Sequence, residues 1–192
     1  AGEEEACEKL MYALVLSGLA MQMTGNSRPA SGAEHHLVHL WDMEVVNGHL
    51  DALHGEKVSA GTMLVLLEYK KIADAIRKGN CKVHTCTEED RELLQSTFGK
   101  KGILGAIEKE NTPELLDDVS TKELSDTLPG ILKIIDALPA VTDMQEMMNT
   151  AGCVSRVRDI GLPGEVIEES LRLAPYTRRR LSLLRLRKML TY

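Results

Sequence analysis

Aromatic side chains are scarce in this chain, at one Trp, one Phe and four Tyr in 192 residues. A sheet-rich core draws on Val, Ile, Tyr and Phe. Here Leu and nine Met lead the apolar set, which argues for helices. No apolar run approaches the roughly 20 residues of a membrane-spanning helix. No basic segment followed by an apolar one opens the chain, so no secretory signal is read there. The four cysteines, at 7, 81, 86 and 153, match neither a CxxC pair nor a zinc knuckle and are expected to be free thiols in a reducing cytoplasm. Net charge is −6, which gives no support for nucleic-acid binding. No strand-to-helix glycine turn of the dinucleotide-binding kind is found, since Gly61, Gly102 and Gly105 sit in helical patterns.

What remains is a globular composition, 43% hydrophobic and 27% charged, long enough for one domain with a real core. The first residue is Ala1 rather than Met, and a helical pattern begins almost at once, as expected of a fragment. Leu10, Met11, Leu14, Val15, Leu19 and Met23 recur at helical spacing over 6–23. Thr24-Gly25-Asn26 breaks that helix, and Pro29 makes 27–30 a loop. Ser31, with Glu34 three positions on, reads as a capping box opening a second helix over 32–46. A third, long helix is expected over 56–78, with Val58, Met63, Leu64, Leu67, Ile72 and Ile76 inward and Gly79 closing it.

Thr87, followed by Glu88, Glu89 and Asp90, reads as the start of a further helix. More are expected near 102–110, 120–138 and 143–151, with Pro129 kinking or splitting the second of these. Pro163 suits the first position of a last helical stretch reaching Leu190, with a break at Pro175. No strand is read. The basic C-terminal cluster, Arg178 to Arg180 with Arg185, Arg187 and Lys188, is expected to be a solvated helix face. The chain is thus all-α, a single helical domain over 1–192.

The unusual feature is a set of histidines. His35, His36 and His39 fall within a turn and a half of one helix, and His54 precedes Gly55 at the start of the next. His35 and His39 share a face, while His36 points about a hundred degrees away. A helix hairpin can return His54 to the His35 face, so that two rigid elements each give one metal ligand. HxxxH alone is also met in structural or solvent-facing positions, and the Glu of an HExxH metalloprotease is missing. Two features favour a site. The preceding "GNSRPASG" is rich in small residues that let the backbone approach a ligand. It feeds a helix N-terminus, where free amides favour an anion. An anion site beside two histidines suggests a phosphorylated substrate next to a metal, with Asn26, Arg28 and Ser31 as candidate contacts.

"SGLAMQMTGNSRPASGAEHHLVHLWDM" followed by "LHGEKVSAGTMLV" resembles the metal-site segment of sn-glycerol-1-phosphate dehydrogenases, the bacterial arabinose-operon type first and the archaeal type next. The wider superfamily holds glycerol dehydrogenase, iron-containing alcohol dehydrogenase and 3-dehydroquinate synthase. "HGEKV" is shared across it, whereas "SRPASG" followed by "EHH" is more specific to the glycerol-phosphate branch. The resemblance is strongest over 14–66 and returns more weakly over 159–186.

The resemblance implies the C-terminal, helical, metal-binding part of such an enzyme. It implies His35 and His54 as metal ligands, zinc or nickel as the metal, and His39 as the catalytic residue facing substrate. It places a third ligand, an aspartate, and the NAD(P)H-binding domain upstream. The implied reaction interconverts dihydroxyacetone phosphate and sn-glycerol 1-phosphate, in a cytoplasmic homodimer without membrane or nucleic-acid partners. A glycerol or other polyol dehydrogenase would keep the histidines but need no anion site. A 3-dehydroquinate synthase would need basic residues before the histidine helix that are not seen. A non-catalytic helical interaction domain would keep the histidines as structural residues and hold no metal.

Overall fold

In a computed structural model describing residues 3–86 and 90–192, helices dominate. The chain divides into two compact units, Ala1–Gly32 and Ala33–Tyr192. In the first, α1 (Glu4–Thr24) ends as its breaker residues require: Gly25 takes a left-handed conformation at φ 65°. A single 3-10 turn, Arg28–Ala30, follows where Pro29 fixes φ. No α1 side chain is buried. Leu10, Met11, Leu14, Val15, Leu19 and Met23, the residues at helical spacing, stay exposed.

The second unit opens with α2 (Ala33–Asp42) and α3 (His54–Arg77), which pack on each other as a hairpin. Leu37, Val38, Leu40 and Trp41 of α2 are fully buried against Ala60, Leu64 and Val65 of α3. The same core takes Leu171 and Leu173 from α8 (Ile167–Leu173), together with Phe98, Tyr176 and Leu184. The Trp41 indole donates to Ser170 Oγ at 3.1 Å, so the one buried indole N–H is satisfied. At Gly61 the two helices pack tightly, since a Cβ there would stand 3.2 Å from the Glu34 carbonyl oxygen. A second core joins Ile72 of α3 to Leu124 and Leu128 of α6 (Thr121–Asp136), and to Leu116, Met189 and Leu190.

Between these lie α4 (Arg91–Phe98), α5 (Leu104–Glu110) and α7 (Val141–Thr150), with α9 (Leu183–Leu186) near the end of the chain. The expected cap at Thr87 falls outside the described residues.

Several expectations need correction. The second helix stops at Asp42 rather than Val46: Glu44 adopts φ 51°, and the Asn47 amide takes the Trp41 carbonyl at 3.2 Å. Leu67 is 42% exposed, not inward. Pro129 does not split α6: it is solvent-exposed, and Leu124, Leu128 and Ile135 hold both halves to the core. Pro163 stands before a 3-10 turn, Gly164–Val166, rather than inside a helix. The last stretch is not one broken helix. Short helical pieces alternate with extended chain, and Leu190–Thr191 (β2) pairs antiparallel with Lys82–Val83 (β1). Two-residue strands carry no alternation to read.

The basic C-terminus is not a solvated face. Arg185 is 1% exposed and reaches Glu114 Oε1 at 2.7 Å. Arg187 joins the buried Glu68 at 2.6 Å, and Lys188 lies 3.3 Å from Asp90. These cations cross-link elements far apart in sequence. All four cysteines are free thiols.

Candidate metal centre

His54 is the first residue of α3, and the turn before it is pinned by the Glu56 carboxylate, which accepts the Leu53 N–H at 2.7 Å. This is the return half of a capping box. The same connection is tied across by Lys57 in the first turn of α3, whose ammonium donates to Asp42 Oδ1 at the end of α2 at 2.8 Å. Those two constraints bring the start of α3 back along α2. The His35 and His54 rings stand with centroids 5.7 Å apart and planes tilted by 54°. Two imidazoles on one tetrahedral ion, with metal–nitrogen bonds of about 2.0–2.1 Å, have centroids roughly 5 Å apart. The observed ring spacing is close to that of a shared ion.

His35 carries a further device. Its Nδ1 lies 2.8 Å from Glu34 Oε1. A carboxylate only accepts, so Nδ1–H is the donor, and the Nε2 lone pair is left for a metal. Glu34 itself sits where α2 packs against Gly61 of α3. His54 is exposed, and His35 is half-buried. Among the described residues no group of three or more His, Cys, Asp or Glu could hold a metal. The two rings brought together here are those of His35 and His54, fewer than the four ligands of a tetrahedral ion.

His39, one turn beyond His35, is half-buried. Its pKa is below the ordinary value, chiefly through burial and then through the positive charge of Arg178 and the neighbouring His35, with Asp42 opposing. It is a neutral imidazole at neutral pH, able to donate at one nitrogen and accept at the other. His36 is different in kind. It is 1% exposed, neither ring nitrogen has a hydrogen-bond partner, and burial pushes its pKa down to about 4, helped by Arg180 and Arg185. Its carbonyl accepts from Thr177 Oγ1 at 3.2 Å. His36 is a core residue, turned away from the His35 face, as its hundred-degree offset implies.

Asn26, Arg28 and Ser31 belong to the first unit. Asn26 Oδ1 accepts the Arg28 N–H at 3.0 Å, and its amide donates to the Thr24 carbonyl at 2.8 Å, which folds the loop as an Asx turn. Arg28 is exposed and Ser31 half-exposed in an extended conformation. Sequence reasoning missed Glu34 as the partner of His35 and Arg178 as the charge nearest in effect to His39. The first was signalled by adjacency. The second, 139 positions away, had no local signal.

No family model matches the chain, and no solved structure does. Curated proteins do. One named glycerol-1-phosphate dehydrogenase (NAD(P)+), from Halalkalibacterium halodurans, is 33% identical over 182 residues, covering 94% of this chain and 37% of the relative. One of the same name from Geobacillus stearothermophilus is 28% identical over 91% of this chain and 36% of its own length. Another from Pyrococcus horikoshii is 41% identical over 80 residues, 40% of this chain and 22% of the relative. Over nearly its whole length, then, the chain is an all-α relative of glycerol-1-phosphate dehydrogenases, and it spans a little over a third of the first two.

Proposed function

We propose that this chain is the C-terminal, metal-holding part of an enzyme that interconverts dihydroxyacetone phosphate and sn-glycerol 1-phosphate with NAD(P)H. The observation that carries the reading is the approach of His35 and His54 from separate helices, with Glu34 orienting His35. His35 and His54 would hold a zinc or nickel ion, which supplies Lewis-acid polarisation of the ketone oxygen when bound. The donor set is neutral imidazole, which suits either metal.

His39 acts on the same oxygen. The bound nicotinamide would supply the hydride to the carbonyl carbon, and reduction also requires a proton at the carbonyl oxygen. A neutral His39, one turn from His35, donates its N–H toward that oxygen and relays the proton from solvent. Oxidation runs the same steps backwards. Asn26, Arg28 and Ser31 are assigned to substrate contact, Arg28 through its forked donors. The nicotinamide cofactor is held outside this chain. The reading carries a cytoplasmic homodimer without nucleic-acid or membrane partners, and no helix among the described residues is long and apolar enough to cross a membrane.

The test is turnover with NADH and NADPH on dihydroxyacetone phosphate and on unphosphorylated dihydroxyacetone. The chain alone is expected to be inactive. Fused behind the part of the Halalkalibacterium halodurans relative that it does not match, it is expected to reduce the phosphorylated ketone in preference. Turnover by the chain alone, or preference for the unphosphorylated ketone, would overturn the assignment.

A further inference from the structure

The first unit leaves its helix uncovered on one side. No side chain of α1 is buried, and only Ser17, Gly18, Ala20 and Met21 are half-buried. At about 100° per residue these four centre on the side of Leu10. The Arg28–Ala30 turn packs on α1 within the same unit. The opposite side carries Tyr12, Val15, Leu16, Leu19 and Met23, within an arc of about 100°. Their recurrence at three- and four-residue steps is that of a helix seam. All five are between 46% and 88% exposed.

Each of these side chains offers roughly 100 Å² to a cover, so the stripe presents about 500 Å² per chain. A contiguous apolar patch of that size marks an interaction face. Pairing the stripe with its own copy removes about 1,000 Å² from water, the lower limit for a specific interface. Charge sets the direction of such a pair. Glu5 and Glu8 continue the same stripe toward the start of α1. Lys9, the one cation of the helix, is paired with Glu5 at 2.7 Å. The last turn carries no basic residue, and its residues, Met21 to Thr24, are uncharged. A parallel pair sets Glu5 and Glu8 against their own copies, at a cost in like-charge repulsion. An antiparallel pair sets each acidic end beside the uncharged end of the other copy, and a two-fold axis makes the two ends equivalent.

We propose that α1 is a self-association face. Two copies of this chain pair their α1 helices antiparallel across Tyr12, Val15, Leu16, Leu19 and Met23, with Tyr12 of one copy opposite Met23 of the other. The small area makes this a reversible dimer, with a dissociation constant in the micromolar range, rather than a permanent one. The assignment rests on α1 alone. It does not depend on the metal, on the reaction or on the homodimer of the reading above, for which no face was named.

Sedimentation of the full chain from about 1 to 200 μM tests it, a range that brackets a micromolar equilibrium. The parent is expected to pass from monomer to dimer within that range. Leu19→Glu, which puts a charge at the centre of the stripe, is expected to weaken the dimer by at least about tenfold. Leu10→Glu, on the opposite side of the same helix, should dimerise as the parent does. Direction is read by cross-linking with a bismaleimide in a chain carrying Cys7→Ser and Cys153→Ser, which removes the two exposed thiols. On that background, a mixture of Tyr12→Cys and Met23→Cys chains should give more cross-linked dimer than either variant alone.

A parent that stays monomeric overturns the proposal, whether or not it binds phosphatidylcholine vesicles. So does a Leu19→Glu chain that dimerises like the parent, or a Leu10→Glu chain that loses the dimer equally. Cross-linking of Tyr12→Cys chiefly with itself overturns the antiparallel arrangement. Circular dichroism of Leu19→Glu guards against a lost helix. In that event Leu19→Ser decides, and dimerisation equal to the parent overturns the stripe.

Discussion

His36 ought to make this fold sensitive to mild acid. Both of its ring nitrogens are buried without a partner, and its pKa in the folded chain is pushed down to about 4 from an ordinary value near 6.5. The unfolded chain binds a proton at His36 below pH 6.5, and the folded chain does not until about pH 4. Stability is therefore fully present above pH 6.5 and falls as pH drops through the window from 6.5 to 4. A shift of that size corresponds to roughly 3 kcal/mol lost across the window, a large share of a typical domain's stability. His36→Leu removes both unpaired nitrogens at nearly constant volume. At pH 7 it should be neutral or stabilising, because two buried unsatisfied atoms disappear. Urea unfolding at pH 7.5, 6, 5 and 4.5 measures this. The parent should lose stability in this interval and the variant should lose less, by an amount that grows as pH falls. Parallel pH profiles for the two chains would refute the reasoning.

Other outcomes follow from particular contacts. Gly61→Ala places a methyl carbon 3.2 Å from the Glu34 carbonyl oxygen, so the α2 backbone must give by a few tenths of an ångström. A loss of about 1–3 kcal/mol in urea unfolding and weaker zinc binding are expected together. Glu34→Gln should lower zinc affinity by about tenfold or more while His35 remains, because the carboxylate that fixes its tautomer is gone. Arg185→Met leaves Glu114 and the Asn111 amide oxygen without their buried partner and should cost about 3–5 kcal/mol, read from denaturant midpoints. In an active enzyme containing the chain, His39→Ala should cut kcat while leaving metal content unchanged, as metal analysis beside steady-state kinetics would show.

The helices were legible where their local chemistry was complete. Gly25 and Gly79 stop α1 and α3 because both take left-handed conformations, which the breaker residues advertise. The hairpin of α2 and α3 was readable because the histidines, Gly55 and Glu56 bracket one short connection. Pro129 misled because a proline's missing hydrogen bond is a local cost, while Leu124, Leu128 and Ile135 restrain α6 from the core side. The C-terminal cations misled for a related reason. Arg185 finds Glu114 some 71 positions away, and Arg187 finds Glu68 at 119, so nothing near them in sequence marks them as buried. The candidate metal pair was visible as spacing, but the Glu34 contact and the Arg178 charge depend on helix docking that spacing does not encode.

Isothermal titration of the full chain with zinc, for the parent and for His35→Ala, His54→Ala and His39→Ala, tests the central claim most directly. The account expects one zinc per chain for the parent, abolished or weakened by at least about tenfold in H35A and in H54A, and retained in H39A. Equal zinc binding by the parent, H35A and H54A would contradict it.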